Sequence, residues 1–274
     1  GAERFLLERV ADDLDDRLAT VSRRFAASLD LGTPGRDAVQ RVAARYGIPV
    51  KLVHDCAVLA PDGLVDDLES PGLEREAADL IVSLMALQSV NDLPGLLAQV
   101  RAALVPDGLF IAALAGGQTL MELRQSLLVA EEAVSGGAAP RIFPFADVRA
   151  LGHLLQRAGF ALPVVDSETI TVRYADPLAL MHDLRAMGAT NVLIDRARRP
   201  LGRRVLLKAV EHYLDHFADA DGRIRATFEI IWLSGWAPHP RQQQPLKPGS
   251  ATMRLADALA VKTYGTAGGG EEQR

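Results

Sequence analysis

The first 25 residues carry apolar side chains at intervals of three and four, which is the spacing of an amphipathic helix. Phe5, Val10, Leu14, Leu18 and Phe25 mark the apolar face, and we predict one helix from the first of them to the last. Four aspartates between positions 12 and 16 fall on the other face, which is typical of a solvent-exposed helix surface. The chain is therefore expected to open with a helix that packs on one side.

The region that follows alternates between short β-rich runs and segments of helical spacing. Predicted strands cover residues 28–32, 50–54, 64–68, 79–87 and 109–114, and predicted helices cover 36–46 and 92–104. Alternation at this interval implies a mostly parallel sheet with helices on both faces. We therefore predict an α/β fold of the doubly wound, Rossmann-like type.

Helical spacing dominates after Gly117. Predicted helices extend to residue 134 and cover 147–158, 177–188 and 201–217, with an exposed loop at 135–140 and strands at 170–174 and 228–236. The last residues are rich in glycine and charge, a composition typical of disordered tails. We divide the chain into an N-terminal helix (1–27), a Rossmann-like domain with helical insertions (28–259) and a disordered tail (260–274).

Charge and cysteine content narrow the function classes. With 30 Lys and Arg against 35 Asp and Glu the formal charge is -5, so the broad positive field used in non-specific nucleic-acid binding is missing. No apolar run approaches the roughly 20 residues that a membrane helix needs. Cys56 is the single cysteine, which excludes an internal disulfide and favours a reducing cytoplasm. His212 and His216 lie four apart, but no third ligand is evident, and we predict no metal site.

Candidate chemistry begins at the glycine-rich segment 30–35, directly after the first predicted strand. An open parallel sheet binds ligands beyond the carboxyl ends of its strands, and glycines there let the backbone approach a nucleotide closely. Asp55 and Asp67 end the next two predicted strands, where a carboxylate can accept hydrogen bonds from ribose hydroxyls. Taken singly, the turn is also compatible with an ordinary strand–helix joint, and each aspartate with a solvated loop or a helix cap.

The order of these segments resembles that of the class I S-adenosylmethionine-dependent methyltransferases. The matching segments are Leu29-Asp30-Leu31-Gly32, Asp55, Asp67-Leu68, Ala78-Asp79-Leu80-Ile81-Val82-Ser83 and Leu104-Val105-Pro106-Asp107-Gly108-Leu109-Phe110. More narrowly, 87–94, 187–191, 226–231 and 248–251 are similar to the branch that contains bacterial relatives of a mitochondrial complex I assembly factor. The malonyl-carrier-protein methyltransferase of biotin synthesis is a more distant relative of this branch.

This resemblance implies a cofactor, S-adenosylmethionine, and a set of residues that contact it. By position these are Asp30, Gly32 and Gly35 at the methionine moiety, Asp55 at the ribose, Asp67 and Leu68 at the adenine, and Ser83 and Leu84 at the floor. Gln88, Asn91 and Gln118 fall on the substrate side. No catalytic residue is assigned, because the sulfonium is already activated and methyl transfer mainly needs alignment.

Five positions depart from the family pattern. Pro34 and Arg36 stand where the first motif has its second and third glycines, Gln88-Ser89 replaces a His-Trp pair, and Gln118 replaces an acid. Two functions therefore remain open. One is methyl transfer from S-adenosylmethionine to a protein or carrier-bound substrate. The other is a non-catalytic interaction or respiratory-complex assembly role, or the arginine hydroxylation associated with the mitochondrial branch.

Overall fold

The computed structural model describes residues 4–35, 37–54, 68–143, 145–189, 191, 196 and 200–242. Residues 1–239 form one compact unit, and a second unit, 240–274, is described only over 240–242. The elements are α1 (Phe5–Ala19), β1 (Ser28–Leu31), α2 (Asp37–Arg45), β2 (Val50–His54), β3 (Ala78–Leu84), a 3-10 helix (Leu87–Ser89), α3 (Leu93–Ala103), β4 (Leu104–Ala115), α4 (Met121–Ser135), α5 (Val148–Arg157), β5 (Ala161–Tyr174), α6 (Pro177–Ala186), α7 (Arg203–Phe217) and β6 (Ile224–Trp236).

The strands form one mixed sheet in the order β2-β1-β3-β4-β6-β5. The first four strands run parallel, whereas β6 is antiparallel to both β4 and β5. The predicted fold class, a mostly parallel Rossmann-like sheet with added C-terminal helices, is confirmed. None of the described helices is both long and apolar enough to cross a bilayer.

Helices cover both faces of the sheet because its central strands are apolar on both sides. In β4, Leu109, Ile111 and Ala113 join the core that includes residues of α1, α2, α4 and α7. The alternate residues Phe110 and Ala112 join the other core, with α3 and α5. Since successive side chains of a strand point to opposite faces, one continuous apolar run supplies both cores.

Side-chain caps start three of the helices near the predicted positions. The carboxylates of Asp92 and Asp147 accept hydrogen bonds from backbone N–H groups three residues later, at 2.9 and 2.8 Å. Asp176 caps α6 in the same way and is followed by Pro177, whose ring favours the first helical position. These local signals explain why the sequence predicts α3, α5 and α6 well.

Three element boundaries differ most from the predictions. Smaller shifts occur in two strands, because β3 ends at Leu84 rather than at residue 87 and β6 begins at Ile224 rather than at residue 228. Helix α1 ends at Ala19 rather than at Phe25, and Arg23 beyond it pairs with Asp107. Strand β4 already begins at Leu104, with a bulge before residue 109 in which Asp107 adopts a φ of +65°. Strand β5 begins at Ala161 instead of residue 170, because this edge strand is only half-buried and lacks a continuous apolar run. The predicted strand 64–68 lies largely outside the described residues.

Arg17 of α1 connects the N-terminal helix to the antiparallel part of the sheet. Its guanidinium donates two hydrogen bonds, of 2.5 and 2.8 Å, to the carboxylate of Asp166 in β5. The same group lies over the buried ring of Trp232 in β6, 4.4 Å from the ring centre. Phe5 makes an edge-to-face contact with Phe228 at the other end of the helix. Helix α1 is thus anchored along β6 and β5.

We predict that Arg17→Ala lowers the free energy of unfolding by about 1–2 kcal/mol, because it removes both a cation–π contact and a two-bond ion pair. Chemical denaturation of the two proteins measures this difference. Arg9→Ala is the matched control, since Arg9 also pairs with β5, through Glu168, but is more exposed. The control should cost less than about 0.5 kcal/mol. Equal losses for the two variants would contradict the anchoring role of Arg17.

Candidate functional site

The glycine turn follows β1 at the carboxyl edge of the parallel strands. Gly32 and Gly35 have φ values of +74° and +76°, which residues with a side chain rarely adopt. Two hydrogen bonds tie this region to β3: the backbone N–H of Leu84 donates to Thr33 Oγ1 at 2.9 Å, and Ser83 Oγ donates to the Leu31 carbonyl at 2.6 Å. The turn is therefore fixed against the neighbouring strand.

The predicted cofactor residues have different fates in the structure. Asp30, Leu68, Ser83 and Leu84 are buried, the last two completely. Asp55 and Asp67 lie outside the described residues, as does Arg36. The structure thus brings Asp30, Ser83 and Leu84 together with the two glycines at the ends of β1 and β3. Their assignment as cofactor contacts stays a prediction.

Arg4, just before α1, lies beside the glycine turn. Its Nη2 atom donates to Asp37 Oδ1 at 2.5 Å, and this bond holds the pKa of the Asp37 carboxyl below its usual value. A Cβ placed on Gly35 would be 3.1 Å from the same nitrogen. Glycine at this position therefore leaves space between the turn and a guanidinium. Arg4 is distant in sequence from the turn, and no local pattern predicts the contact.

Gln118, one of the predicted substrate-side residues, lies beside the part of β5 and β6 that extends past the end of β4. The last β4–β6 pair joins Ala115 to Ile230, whereas β5 and β6 remain paired as far as Tyr174 and Ile224. Residues 116–120 cross from β4 to α4 beside this extension. Gln118, in that loop, is exposed, and its backbone N–H donates to Glu229 Oε2 at 2.8 Å.

The other predicted substrate-side residues lie after β3. Gln88, in the 3-10 helix, is half-buried, and its Nε2 donates to the carbonyl of Met85 at 2.7 Å. Asn91 is exposed, and its backbone N–H donates to Glu69 Oε1 at 2.7 Å. Gln88 and Asn91 follow β3 and Gln118 follows β4, so all three come after neighbouring parallel strands at the same edge of the sheet. Their contact with a substrate remains a prediction.

Loop 116–120 is held by a network that sequence reasoning did not identify. The Gly116 N–H donates to the Glu229 carbonyl at 2.8 Å, and Thr119 Oγ1 donates to the same carbonyl at 3.1 Å. Arg124 Nη1 and Nη2 donate to the carbonyls of Gly117 and Thr119. Glu229 belongs to segment 226–231, which carries part of the family resemblance, but nothing in the sequence places its carboxylate against this loop.

Two grooves lie along α4. One, of about 250 Å³, is lined by Arg124, Leu128 and Arg141 among others. The other, of about 560 Å³, lies between α4 and α7 and is lined by Ala133, Leu207 and neighbouring residues. None of the predicted site residues that the structure describes lines either groove.

His212 and His216 stack on each other in α7, with ring centres 4.1 Å apart. Nδ1 of His212 is 3.1 Å from Ser126 Oγ, and Nδ1 of His216 is 2.9 Å from the His212 carbonyl. No group of three metal-ligating side chains occurs in the described part of the chain. Burial lowers the pKa of His212 below 6.5, and the neighbouring His216 lowers it further, while Asp215 acts in the opposite direction.

The strand order of the sheet and the position of the glycine turn after β1 define a class I methyltransferase fold. A solved structure, the YcgJ protein of Bacillus subtilis, superimposes with a TM-score of 0.54 at 11% identity, over 84% of this chain and 99% of that one. A family model described as a methyltransferase domain matches residues 3–163.

Curated relatives place the chain more narrowly. The mitochondrial arginine-hydroxylase NDUFAF5 of Homo sapiens is 37% identical over 92% of this chain and 76% of its own length. The malonyl-[acyl-carrier protein] O-methyltransferase of Nitrosospira multiformis is 37% identical over 64% of this chain and 54% of its own length. The chain therefore belongs to the methyltransferase-domain family and, within it, to the branch of the arginine-hydroxylase NDUFAF5.

The lowered pKa of His212 predicts a pH dependence of stability. The unfolded chain binds this proton more tightly than the folded protein, so stability is lost as the pH falls below about 6.5. His212→Gln cannot be protonated and should lose less unfolding free energy between pH ~7 and ~5 than the wild type. His182→Gln, which changes an exposed histidine, is the control and should behave like the wild type. Identical pH profiles for all three proteins would refute the assignment.

Proposed function

We propose that this protein binds S-adenosylmethionine at the carboxyl end of β1 and acts on an arginine side chain of a protein substrate. The observation that carries the proposal is the extent of similarity to the arginine-hydroxylase, which covers 92% of the chain. A match of that length has to include elements of the substrate side as well as the nucleotide-binding strands. A cytoplasmic location is part of the proposal.

The glycine turn supports the cofactor part of the proposal. Gly35 has a positive φ and no side chain, and a Cβ would narrow the gap toward Arg4 to 3.1 Å. Such a cradle suits the close backbone approach that nucleotide-type cofactors require. Asp30, Gly32 and Gly35 would hold the methionine moiety, with Asp55, Asp67, Leu68, Ser83 and Leu84 around the rest of the molecule. When bound, the cofactor supplies an activated sulfonium.

Pro34 interrupts the motif but does not stiffen the whole turn. It is half-buried and lies between two positions of the chain, Gly32 and Gly35, that keep left-handed backbone angles. Gly35 stands one position after the family's second glycine and supplies conformational freedom that proline lacks. The departure at Pro34 therefore favours a turn that is rearranged but still binds the cofactor over a turn that has lost cofactor binding.

The extents of the two similarities support the proposed type of substrate. The relative that acts on a carrier protein matches 64% of the chain, and the arginine-hydroxylase matches 92%. The larger match favours a protein side chain over a carrier-bound acyl group. A second candidate function, methyl transfer to a carrier-bound carboxyl, is supported by the fold and by the shorter match. The third hypothesis, a non-catalytic assembly role, requires no cofactor.

We predict that S-adenosylhomocysteine binds the wild type and raises its melting temperature, with about 2.7 kcal/mol of stabilisation at 100 times the dissociation constant. Gly35→Ala should abolish the ligand-induced shift. Gly47→Ala is the matched control, because Gly47 also has a positive φ, +65°, but lies in an open position away from the site. Both variants should lose intrinsic stability, and only the first should lose ligand binding.

The double variant Pro34→Gly, Arg36→Gly separates the hypotheses further. If S-adenosylhomocysteine raises the melting temperature of this variant but not that of the wild type, the natural turn no longer binds the cofactor, and the non-catalytic role is favoured. If S-adenosylhomocysteine raises the melting temperature of Gly35→Ala as much as that of the wild type, the cofactor binds somewhere other than the glycine turn.

The reaction itself is predicted to modify arginine. Mass spectrometry of a pool of peptides, each with one arginine, should detect the gain of one oxygen on that residue after incubation with the protein, S-adenosylmethionine, air-saturated buffer and a two-electron reductant. One atom of dioxygen enters the arginine side chain, and the reductant converts the other atom to water. Malonyl-carrier protein is the parallel substrate. A gain of one methylene on its malonyl group, with unmodified peptides, would support the second candidate instead.

A further inference from the structure

Glu229 places a carboxylate at the same edge of the sheet as the candidate cofactor turn. It is the last β6 residue before the β4 pairing begins, since Ile230 pairs with Ala115 at the carboxyl end of β4. The side chain is half-buried and lies over Gly116, the first residue after that strand. The carboxyl ends of β1, β3 and β4 share this edge, so the carboxylate faces the side of the sheet on which the proposed chemistry occurs.

The loop after β4 is shaped to fit this carboxylate. A Cβ on Gly116 would be 2.5 Å from Glu229 Oε2 and 2.8 Å from its Cγ, distances that real atoms do not tolerate. Glycine at 116 therefore allows the side chain to lie flat against the backbone. The Gln118 N–H holds Oε2 at 2.8 Å and fixes the orientation of the carboxylate.

Glu229 is half-buried and differs from two buried acids of α4, Glu122 and Glu131, whose partners lie within the protein. Glu131 is paired with Arg141 and also accepts from the Ala139 N–H. Both oxygens of Glu122 accept hydrogen bonds, from the backbone and the hydroxyl of Thr227. Among the described residues no Lys, Arg or His pairs with Glu229, and Oε1 accepts no hydrogen bond from them. The half-buried carboxylate therefore keeps one oxygen with which it can accept charge-assisted hydrogen bonds from a cationic ligand.

Further acceptors surround the same loop. The carbonyl oxygens of Phe145 and Ala146 lie 3.8 and 3.9 Å from the position of a Cβ on Gly117. A guanidinium presents five N–H donors in a planar fork and no acceptor, so it can donate both to a carboxylate oxygen and to carbonyl oxygens. An anionic group is repelled by the carboxylate, and a neutral donor forms weaker hydrogen bonds with it.

We propose that Glu229 binds the cationic side chain of the substrate, a guanidinium, and so determines specificity for arginine. The substrate class rests on the function proposed above, whereas the geometry of the carboxylate does not. Glu229 is a binding residue in this proposal, and Gly116 and Gln118 position it.

Glu229→Gln tests the proposal because it keeps the shape and an acceptor for the Gln118 N–H but removes the charge. The probes are a peptide with a single arginine and the same peptide with citrulline, the neutral isostere, titrated into the ¹⁵N-labelled full chain. The backbone amide signal of Gln118 reports directly on the carboxylate. We expect the wild type to bind the arginine peptide about tenfold or more tightly than the citrulline peptide, with a shift of that signal. Glu229→Gln should lose the preference.

Glu132→Gln is the matched control, since it removes one negative charge from an exposed position of α4. It should retain the preference of the wild type, and the melting temperatures of all three proteins should agree closely. A Glu229→Gln variant that still prefers arginine would overturn the proposal, as would a wild type that does not distinguish the two peptides.

Failure of the proposed function gives a different pattern. In that case S-adenosylhomocysteine does not bind and no arginine peptide gains mass, whether or not the wild type prefers the arginine peptide to the citrulline peptide. If the wild type and Glu229→Gln instead form the oxidised peptide with equal kcat/KM, the proposed function stands and the role of Glu229 is refuted.

Discussion

The antiparallel ladder between β4 and β6 is the constraint on which the candidate site depends. Seven residue pairs, from Leu109–Trp236 to Ala115–Ile230, fix β6 against the last parallel strand. Because β6 runs in the opposite direction, its first residues lie beyond the carboxyl end of β4. These first residues of β6 include Glu229, and they pair with β5 beyond the point where the pairing with β4 stops. A parallel strand in this place would present its last residues, rather than its first, at this edge of the sheet.

Helix α1 connects β5 and β6 to the glycine turn after β1, where the cofactor is proposed to bind. Arg17 contacts β5 and β6, and Arg4, at the other end of the helix, contacts Asp37 beside the glycine turn. Asp15, between them, pairs with Arg45 at the end of α2. One helix therefore bridges the two halves of the sheet that carry the proposed cofactor and substrate contacts. Its placement depends on charged pairs at its ends and on the apolar stripe in its middle.

Features with local causes could be predicted from the sequence, and features with distant causes could not. The glycine turn follows from the backbone freedom of Gly32 and Gly35, and α3, α5 and α6 follow from caps next to them in the chain. The first half of β5 was missed because an edge strand needs no apolar run. The contact of Glu229 with Gln118 spans 111 residues, so it depends on strand order rather than on any local pattern. Asp55 and Asp67 stay predictions from the family resemblance.

Hydrogen exchange of backbone amides, measured with and without S-adenosylhomocysteine, tests most directly whether the carboxyl edge of the sheet is the functional site. Binding there should protect the amides of Gly32, Thr33 and Gly35 and of the segment after β3, with a smaller effect at 116–118. Amides in α6 should be unchanged. Protection confined to the grooves along α4, or none at the glycine turn despite saturating ligand, would contradict the assignment of the site.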